Sequence, residues 1–484
     1  MNPKDAADTK SPRSKSTALR AGAMGAPALV FLVMAFQAPL TSTAGNMPFI
    51  VGQGNGVGSP GAFILGGVIL TFFAIPFAAM SRRITNAGAF YSYISAGFGR
   101  PAGTAAGWVA LFTYNVLMLV PVAYAGYFGS YVCQAELGMD VPWQVFSFGV
   151  LLFVWLIGIR GIEVNTILMA TFLVAEIAIL VLTIIGVFSK TGFGSVTTSF
   201  APSEILSGNV GLALTFALLS FIGFEATAVF GEESRDPRRT VARATFAAVW
   251  VIAGLYALTT WAAVAAYPSG DVVNIAQTSP ETFLSGAAVF GLGAWSGHVL
   301  NWLLLVSIVA CSIAVHNMAS RYIYAFGRDG LLPNVLGQTH PKYLTPHFAG
   351  TVQMLLMLAA VGTCAVFGAD PYATLAGLSG SFATLGAILL MTVTCLAAIW
   401  FLKDSGESLW VRLIAPALAF LGLATAMCLI LFNFGILAGE SVLANVLPWT
   451  FIPIAVLGFL HGRKTFGRVV VNSQELLPTV DRLK

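Results

Sequence analysis

Apolar stretches separated by charged or Gly/Pro-rich turns fall at about 27–56, 61–80, 102–133, 143–159, 162–189, 208–231, 244–267, 286–325, 349–368, 372–402, 412–437 and 446–461. A helix needs roughly 20 apolar residues to cross a bilayer. The pattern therefore predicts an all-α membrane protein with twelve transmembrane helices. Before the first stretch, Lys4, Lys10, Arg13, Lys15 and Arg20 stand among Pro, Ser and Asp, with no short apolar core or cleavage site behind them. Residues 1–26 thus read as a disordered arm, not a signal peptide. Residues 462–484 read as a polar tail.

With the amino terminus placed inside, every one of the 24 Lys and Arg except Lys190 falls on an inner loop or a terminus. The positive-inside rule asks for this asymmetry, and a span count shifted by one would destroy it. Both termini are expected in the cytoplasm, with the chain crossing the plasma (inner) membrane many times. Composition agrees, since 57% of residues are hydrophobic and 9% charged, against about a quarter charged in soluble domains. A net charge of +4 dealt to one face gives no reason to expect a nucleic-acid partner. The five cysteines (133, 311, 364, 395 and 428) are odd in number and scattered, so neither a disulfide framework nor a CxxC metal site is available. No cofactor or metal is predicted.

Two spans carry interruptions. The first reads AlaProLeuThrSerThrAlaGlyAsnMetPro from Ala38 to Pro48, and the sixth reads LeuSerPheIleGlyPheGlu from Leu219 to Glu225. Freed backbone groups in lipid cost several kcal/mol each, so breaks are informative. The two correspond if the chain divides into spans one to five and six to ten. Helix one starts inside and helix six outside, which makes the halves an inverted repeat followed by two further helices. In transporters so built, half-helix amino termini face anionic groups and free carbonyls face cations at the bilayer midplane. That chemistry suits a zwitterion. The alternative is that Pro39 and Gly223 only kink packed helices.

On the first reading the substrate backbone is held by Thr41, Ser42, Thr43, Ala44 and Gly45 and by Leu219, Ser220, Phe221, Ile222 and Gly223. Its carboxylate would meet the N–H groups opening the second half of helix one, and its amino group the carbonyls ending the first half of helix six. Glu176, deep in the fifth span, and Glu225, beside the second break, are each expected to be protonated, hydrogen-bonded or paired. Glu176 is the leading proton-coupling candidate and Glu225 the second. For both, a structural role stands open beside the titrating one: a packing hydrogen bond for Glu176, a cap on freed N–H groups for Glu225. A sodium site also stays open, with Ser307 and Ser312 as candidate oxygens. Phe221 is a gate candidate, as are Glu232, Glu233 and Arg321; the acids read either as part of a solvated loop or as ion pairs with Arg82, Arg83 or Arg321 that would lock the inner side in one state. His316 reads as a packed neutral residue, with a proton relay as the alternative.

The stretch AsnAlaGlyAlaPheTyrSerTyr (Asn86 to Tyr93) with GlyPheGlyArgProAlaGly (Gly97 to Gly103) resembles the pattern after helix two of amino acid–polyamine–organocation permeases. GlyPheGlu (Gly223 to Glu225) with GluGluSerArgAspPro (Glu232 to Pro237) resembles that family's helix six and the loop beyond. AsnMetAlaSerArg (Asn317 to Arg321) with GlyArgAspGlyLeuLeuPro (Gly327 to Pro333) is similar to the end of its helix eight. The resemblance implies a LeuT-like 5+5 inverted repeat. Residues 27–402 would be the transport core, with repeats at about 27–189 and 208–402, and 403–461 would carry helices eleven and twelve. It further implies secondary transport of amino acids or related amines; with the mid-span acid Glu176 arguing for protons, the expected function is proton-coupled import of amino acids, with amine or polyamine import or amino acid exchange as the alternative. Leu219 stands where the family's arginine–agmatine branch has a gating Trp, and a cationic side chain loses its aromatic platform there. Helix five lacks the Lys of proton-coupled relatives and has Glu176 instead. An enzyme is not expected: the five His (298, 316, 340, 347 and 461) have no HExxH, GxSxG or carboxylate cluster near them.

Overall fold

The computed structural model of the protein describes residues 26–84, 89–160, 166–194, 197–225, 227, 237–438 and 445–466. Among the described residues there are helices and turns but no strand. The principal helices are α1 (Ala26–Gln37), α2 (Pro39–Phe49), α3 (Ser59–Ser81), α4 (Ala89–Phe98), α5 (Arg100–Leu117), α6 (Leu119–Leu137), α7 (Trp143–Arg160), α8 (Thr166–Thr191) and α9 (Val210–Leu219). They continue with α10 (Pro237–Ala266), α11 (Val272–Thr278), α12 (Pro280–Leu292), α13 (Ala294–Arg328), α14 (His347–Val366), α15 (Gly377–Phe401), α16 (Ala415–Ala438) and α17 (Phe451–Phe466).

Nine helical runs among the described residues are long and apolar enough to cross a membrane, where the sequence pattern predicts twelve. The difference has local causes. The first expected span is divided at Ala38 into α1 and α2. The sixth is regular helix over only the 10 residues of α9, and the last is the 16-residue α17. Residues Pro39–Ser81 form one 43-residue apolar run, which as a straight helix would be about 65 Å long, twice the hydrocarbon thickness. It turns back instead through a wide π-helical turn at Ile50–Asn55 and Gly56, whose φ of 55° favours glycine. A shallower joint separates α5 from α6: Pro121 has no N–H to give Leu117, and Met118 bonds Asn115 three residues back (3.2 Å).

The packing order places the two broken segments centrally. α3 lies along α10, α5 and α6 meet α13, and α7 meets α14. α2 touches α8, α12 and α13, while α9 packs on α2 and α15. Large apolar side chains face outward on the flanking helices, among them Phe153, Ile185, Leu355, Leu421 and Phe432. Polar residues are buried instead, with Thr43, Glu225, Thr227 and Ser307 all at 0% exposure. A bundle in water would show the reverse.

Glu232 and Glu233 lie outside the described residues, so the expected inner-gate ion pairs are not on view. Arg82 and Arg83 at the end of α3 pair instead with Glu407, in the loop before α16, at 3.2 and 2.9 Å. Partial burial raises the Glu407 carboxyl, but hydrogen bonding from Arg83 and the charges of both arginines outweigh it and hold the group below its ordinary range. A carboxyl held low contributes stability at neutral pH that is lost as it protonates. Because all three side chains are partly exposed, Glu407→Gln should cost no more than ~1 kcal/mol at neutral pH. That cost should shrink as pH falls from the ordinary value of 4.5 downward. Melting curves of both proteins across this range test it, and a difference independent of pH would assign the effect to packing.

Candidate functional site

The first break begins with Pro39. A proline disfavours helical geometry in the residue before it, and Ala38 is driven to φ 46°, ψ 80°, the left-handed region. α1 therefore ends at Gln37 and α2 starts one residue later. The interruption sits three residues before Thr41, and Thr41 to Gly45 fold as helix, although their composition predicts an unwound segment. The helix satisfies the Thr43 hydroxyl internally, since it donates to the carbonyl of Pro39 at 2.7 Å, as hydroxyls in membrane helices do.

Starting a helix frees its first N–H groups, and here other spans bond them. The Leu40 N–H donates to Glu176 Oε2 at 3.2 Å, and the Thr41 N–H to Ser307 Oγ at 3.2 Å. Thr41 Oγ1 also donates to Ser307 Oγ (2.9 Å), whose own proton goes to Glu176 Oε2 (2.9 Å). The Ser307 hydroxyl thus accepts two bonds and gives one, its full capacity. Of the two serines expected near a cation, Ser307 reaches the break, while Ser312 bonds its own helix at the Ile308 carbonyl (2.8 Å).

At the second break, α9 ends at Leu219 and the chain tightens into bonds three residues back, from Phe221 to Leu218, Ile222 to Leu219 and Phe224 to Phe221. Gly223 adopts φ 113°. A Cβ there would lie 2.2 Å from the Phe36 ring, so both backbone and space require glycine. Glu225 accepts the Gly223 N–H at 2.8 Å and the Tyr114 hydroxyl at 2.5 Å. Tyr114 in turn stacks on Tyr322 with centroids 5.1 Å apart.

The two breaks are bonded to each other. Gln37 Nε2 donates to the Phe221 carbonyl (2.8 Å), and Asn46 Nδ2 donates to Ser220 Oγ (2.8 Å). Tyr124 donates to Asn46 Oδ1 (2.6 Å), and Tyr372 to the Gly45 carbonyl (2.7 Å). Between them lies a cavity of about 40 Å³, lined by the polar residues Gln37, Thr41, Ser42, Asn46 and Tyr124 together with apolar residues including Leu117, Val120, Leu219 and Ile222. That is room for about three waters. Thr41, Ser42, Leu219 and Ile222 of the expected set line it; Thr43, Ala44, Gly45, Ser220, Phe221 and Gly223 are buried behind them. Phe221 contributes its carbonyl here. Arg321 is exposed near the end of α13, away from the cavity lining. His316 is buried and hydrogen-bonded to Gln353.

An aromatic stack covers one flank. Phe216 stacks on Phe49 (4.2 Å), Phe49 on Tyr372 (4.4 Å) and Tyr372 on Tyr127 (4.8 Å), whose hydroxyl bonds Glu281 on α12. Sequence reasoning missed Gln37, Asn46 and Tyr372. The first two had a signal in being uncharged polar residues inside an apolar run, where such groups need partners.

A family model for amino acid permeases matches residues 28–460. The chain belongs to that family. Among its relatives, the branched-chain amino acid permease BcaP of Lactococcus lactis is 28% identical over 377 residues, 71% of this chain and 75% of the relative. The low-affinity putrescine importer PlaP of Escherichia coli is 23% identical over 363 residues, 72% of this chain and 75% of the relative. The serine/threonine exchanger SteT of Bacillus subtilis is 23% identical over 301 residues, 61% and 66%. This permease is accordingly a multi-pass membrane protein.

The join between the breaks leaves no space for a side chain at Gly45, where a Cβ would lie 2.2 Å from the Tyr124 ring. Gly45→Ala should displace Tyr124 from Asn46 and lower ligand affinity by more than about tenfold in a folded protein. Size-exclusion profile and melting curve establish folding, and ligand-induced stabilisation reads affinity. Unchanged affinity would show that the Tyr124–Asn46–Ser220 connection does not shape the site.

Proposed function

We propose that this permease is a secondary active transporter that imports amino acids or related amines by proton-coupled symport with alternating access. The observation that carries the reading is the bonding of two interrupted helices, remote in sequence, around one buried cavity. Half-helix ends and small polar groups at such a crossing supply a binding site without a fixed charge. The packing of α3 on α10, of α5 and α6 on α13 and of α7 on α14 supports a twelve-span 5+5 inverted repeat plus two helices, since counterpart helices meet across a central two-fold axis. The Lys and Arg distribution supports cytoplasmic termini in the plasma membrane, and in that orientation the Phe216–Phe49–Tyr372–Tyr127 stack closes the outer side.

The binding set is Thr41 to Gly45 with Leu219 to Gly223, and the apolar wall favours substrates with a neutral, apolar body. The names of the relatives, which span branched-chain amino acids, putrescine and serine/threonine, fit a site whose wall sets specificity. Glu176 is the proton-coupling group because its partners, Leu40 and Ser307, lie on two other elements. Protonation makes it a poorer acceptor and loosens both contacts together. Glu225, bonded to its own segment at Gly223 and to Tyr114 of α5, is second.

Purified protein in liposomes should accumulate at least one labelled amino acid or amine under an inward proton gradient; a broad panel without accumulation or counterflow would defeat the proposal. Glu176→Gln should abolish accumulation while leaving exchange measurable. Concentrative, pH-dependent uptake by that variant would move the proton to Glu225, and arrest of the unmodified protein by sodium removal alone would refute proton coupling.

A further inference from the structure

Gly380 lies inside the continuous helix α15. It is not one of the glycines with positive φ, so the backbone accepts any residue there, and a glycine inside a helix costs stability against alanine. What requires it is space. A Cβ at Gly380 would lie 2.8 Å from Leu219 Cδ2, 3.5 Å from Phe216 Cε1 and 3.7 Å from Val120 Cγ2. Leu219 and Val120 both line the cavity, and Gly380, which is not among the lining residues, stands behind them.

The Leu219 methyl group thus rests where the side chain of any other residue at 380 would begin. Carbon atoms in ordinary contact stand about 3.5–4.0 Å apart, so a methyl added at 380 has to move Leu219 by roughly 1 Å. The helix cannot back away cheaply, because α4, α5 and α16 pack on α15. One turn on from Gly380, Thr384 Oγ1 shares its proton between the Gly380 carbonyl (2.8 Å) and the Thr215 carbonyl of α9 (3.2 Å), which pins the two helices together. Phe216 is held in its stack on Phe49. The open space beside Leu219 is the cavity, and with room for about three waters it is small enough for one displaced side chain to change what fits.

We infer that Gly380 is a positioning residue that sets the longest apolar chain the permease accepts, by leaving Leu219 and Val120 room to stand back from the cavity. The inference rests on the permease reading above and adds to it the residue that fixes substrate size. Gly380 itself touches no substrate and acts through the two side chains in front of it.

Two series of graded length test it: straight-chain 2-amino acids from alanine to norleucine, and the matching amines from ethylamine to pentylamine. Each compound is titrated against the purified full-length protein, with ligand-induced thermal stabilisation as readout and competition against counterflow of the tightest binder alongside. Gly380→Ala should weaken the longest compound that the unmodified protein accepts by about tenfold or more, the effect of a methylene in an apolar pocket, while the shortest changes by less than about threefold. Adding Leu219→Ala to Gly380→Ala should restore the longer compounds, because it returns the lost volume. Should Gly380→Ala alone fail to fold, the double variant is compared with Leu219→Ala alone, and the methyl at 380 should again shorten the accepted chain. A Gly380→Ala protein that binds every length more weakly by the same factor, or binds all of them unchanged, would overturn this inference alone and leave the transport reading standing. Neither binding nor counterflow by any compound on the unmodified protein would overturn both.

Discussion

The core of this protein is organised by one constraint: a helix interrupted in lipid must have its freed N–H groups bonded by protein, since no water is there to do it. At Ala38 the bonds come from α8 and α13, through Glu176 and Ser307. At Gly223 they come from Glu225, itself held by Tyr114 of α5. Neither break is bonded without the spans around it, and Glu176, Ser307 and Glu225 are tolerable in the apolar interior because a break gives each a partner. Polar side chains and irregular backbone thus stabilise one another, and the cavity is what remains where the two irregular segments meet.

The blocks of apolar residues led to helices wherever they were long, and Pro39 and Gly223 did announce the interruptions. The position of the first break was less legible. Hydroxyl-rich sequence from Thr41 to Thr43 looks like unwinding, but each hydroxyl finds a partner, Thr41 at Ser307, Ser42 at the Gln37 carbonyl and Thr43 at the Pro39 carbonyl, and the disruption by Pro39 falls on the residue before it. Partners far along the chain were not legible at all. Gln37 meets Phe221 and Tyr372 meets Gly45, contacts that depend on tertiary packing and leave no local periodicity. The same holds for the pairing of Arg82 and Arg83 with Glu407, more than 320 residues along the chain.

Glu176 and Glu225 look equivalent in sequence, each a single acid in an apolar setting. Their surroundings separate them. Glu225 bonds a backbone group two residues away and Tyr114 of α5, so it ties the local turn to one neighbouring span. Glu176 bonds one group on α2 and one on α13, so any change in its acceptor strength acts between elements. A carboxylate positioned this way also meets the partial positive charge of the α2 amino terminus. Occupation of that terminus removes from the cavity the helix-end N–H groups that would favour an anion, and the remaining lining is uncharged, made of amide, hydroxyl and hydrocarbon groups.

The two halves of the first broken helix are unequally held. α2 is fixed by Glu176 and Ser307 at its start, by Asn46 to Ser220 and Tyr124 along its side, and by Tyr372 at Gly45. α1 ends in Ala38, whose left-handed backbone costs about 1 kcal/mol, and reaches the second break through the Gln37 side chain. In the proposed cycle, a tilt of α1 about Ala38 therefore breaks the Gln37–Phe221 bond while the cap on α2 stays intact.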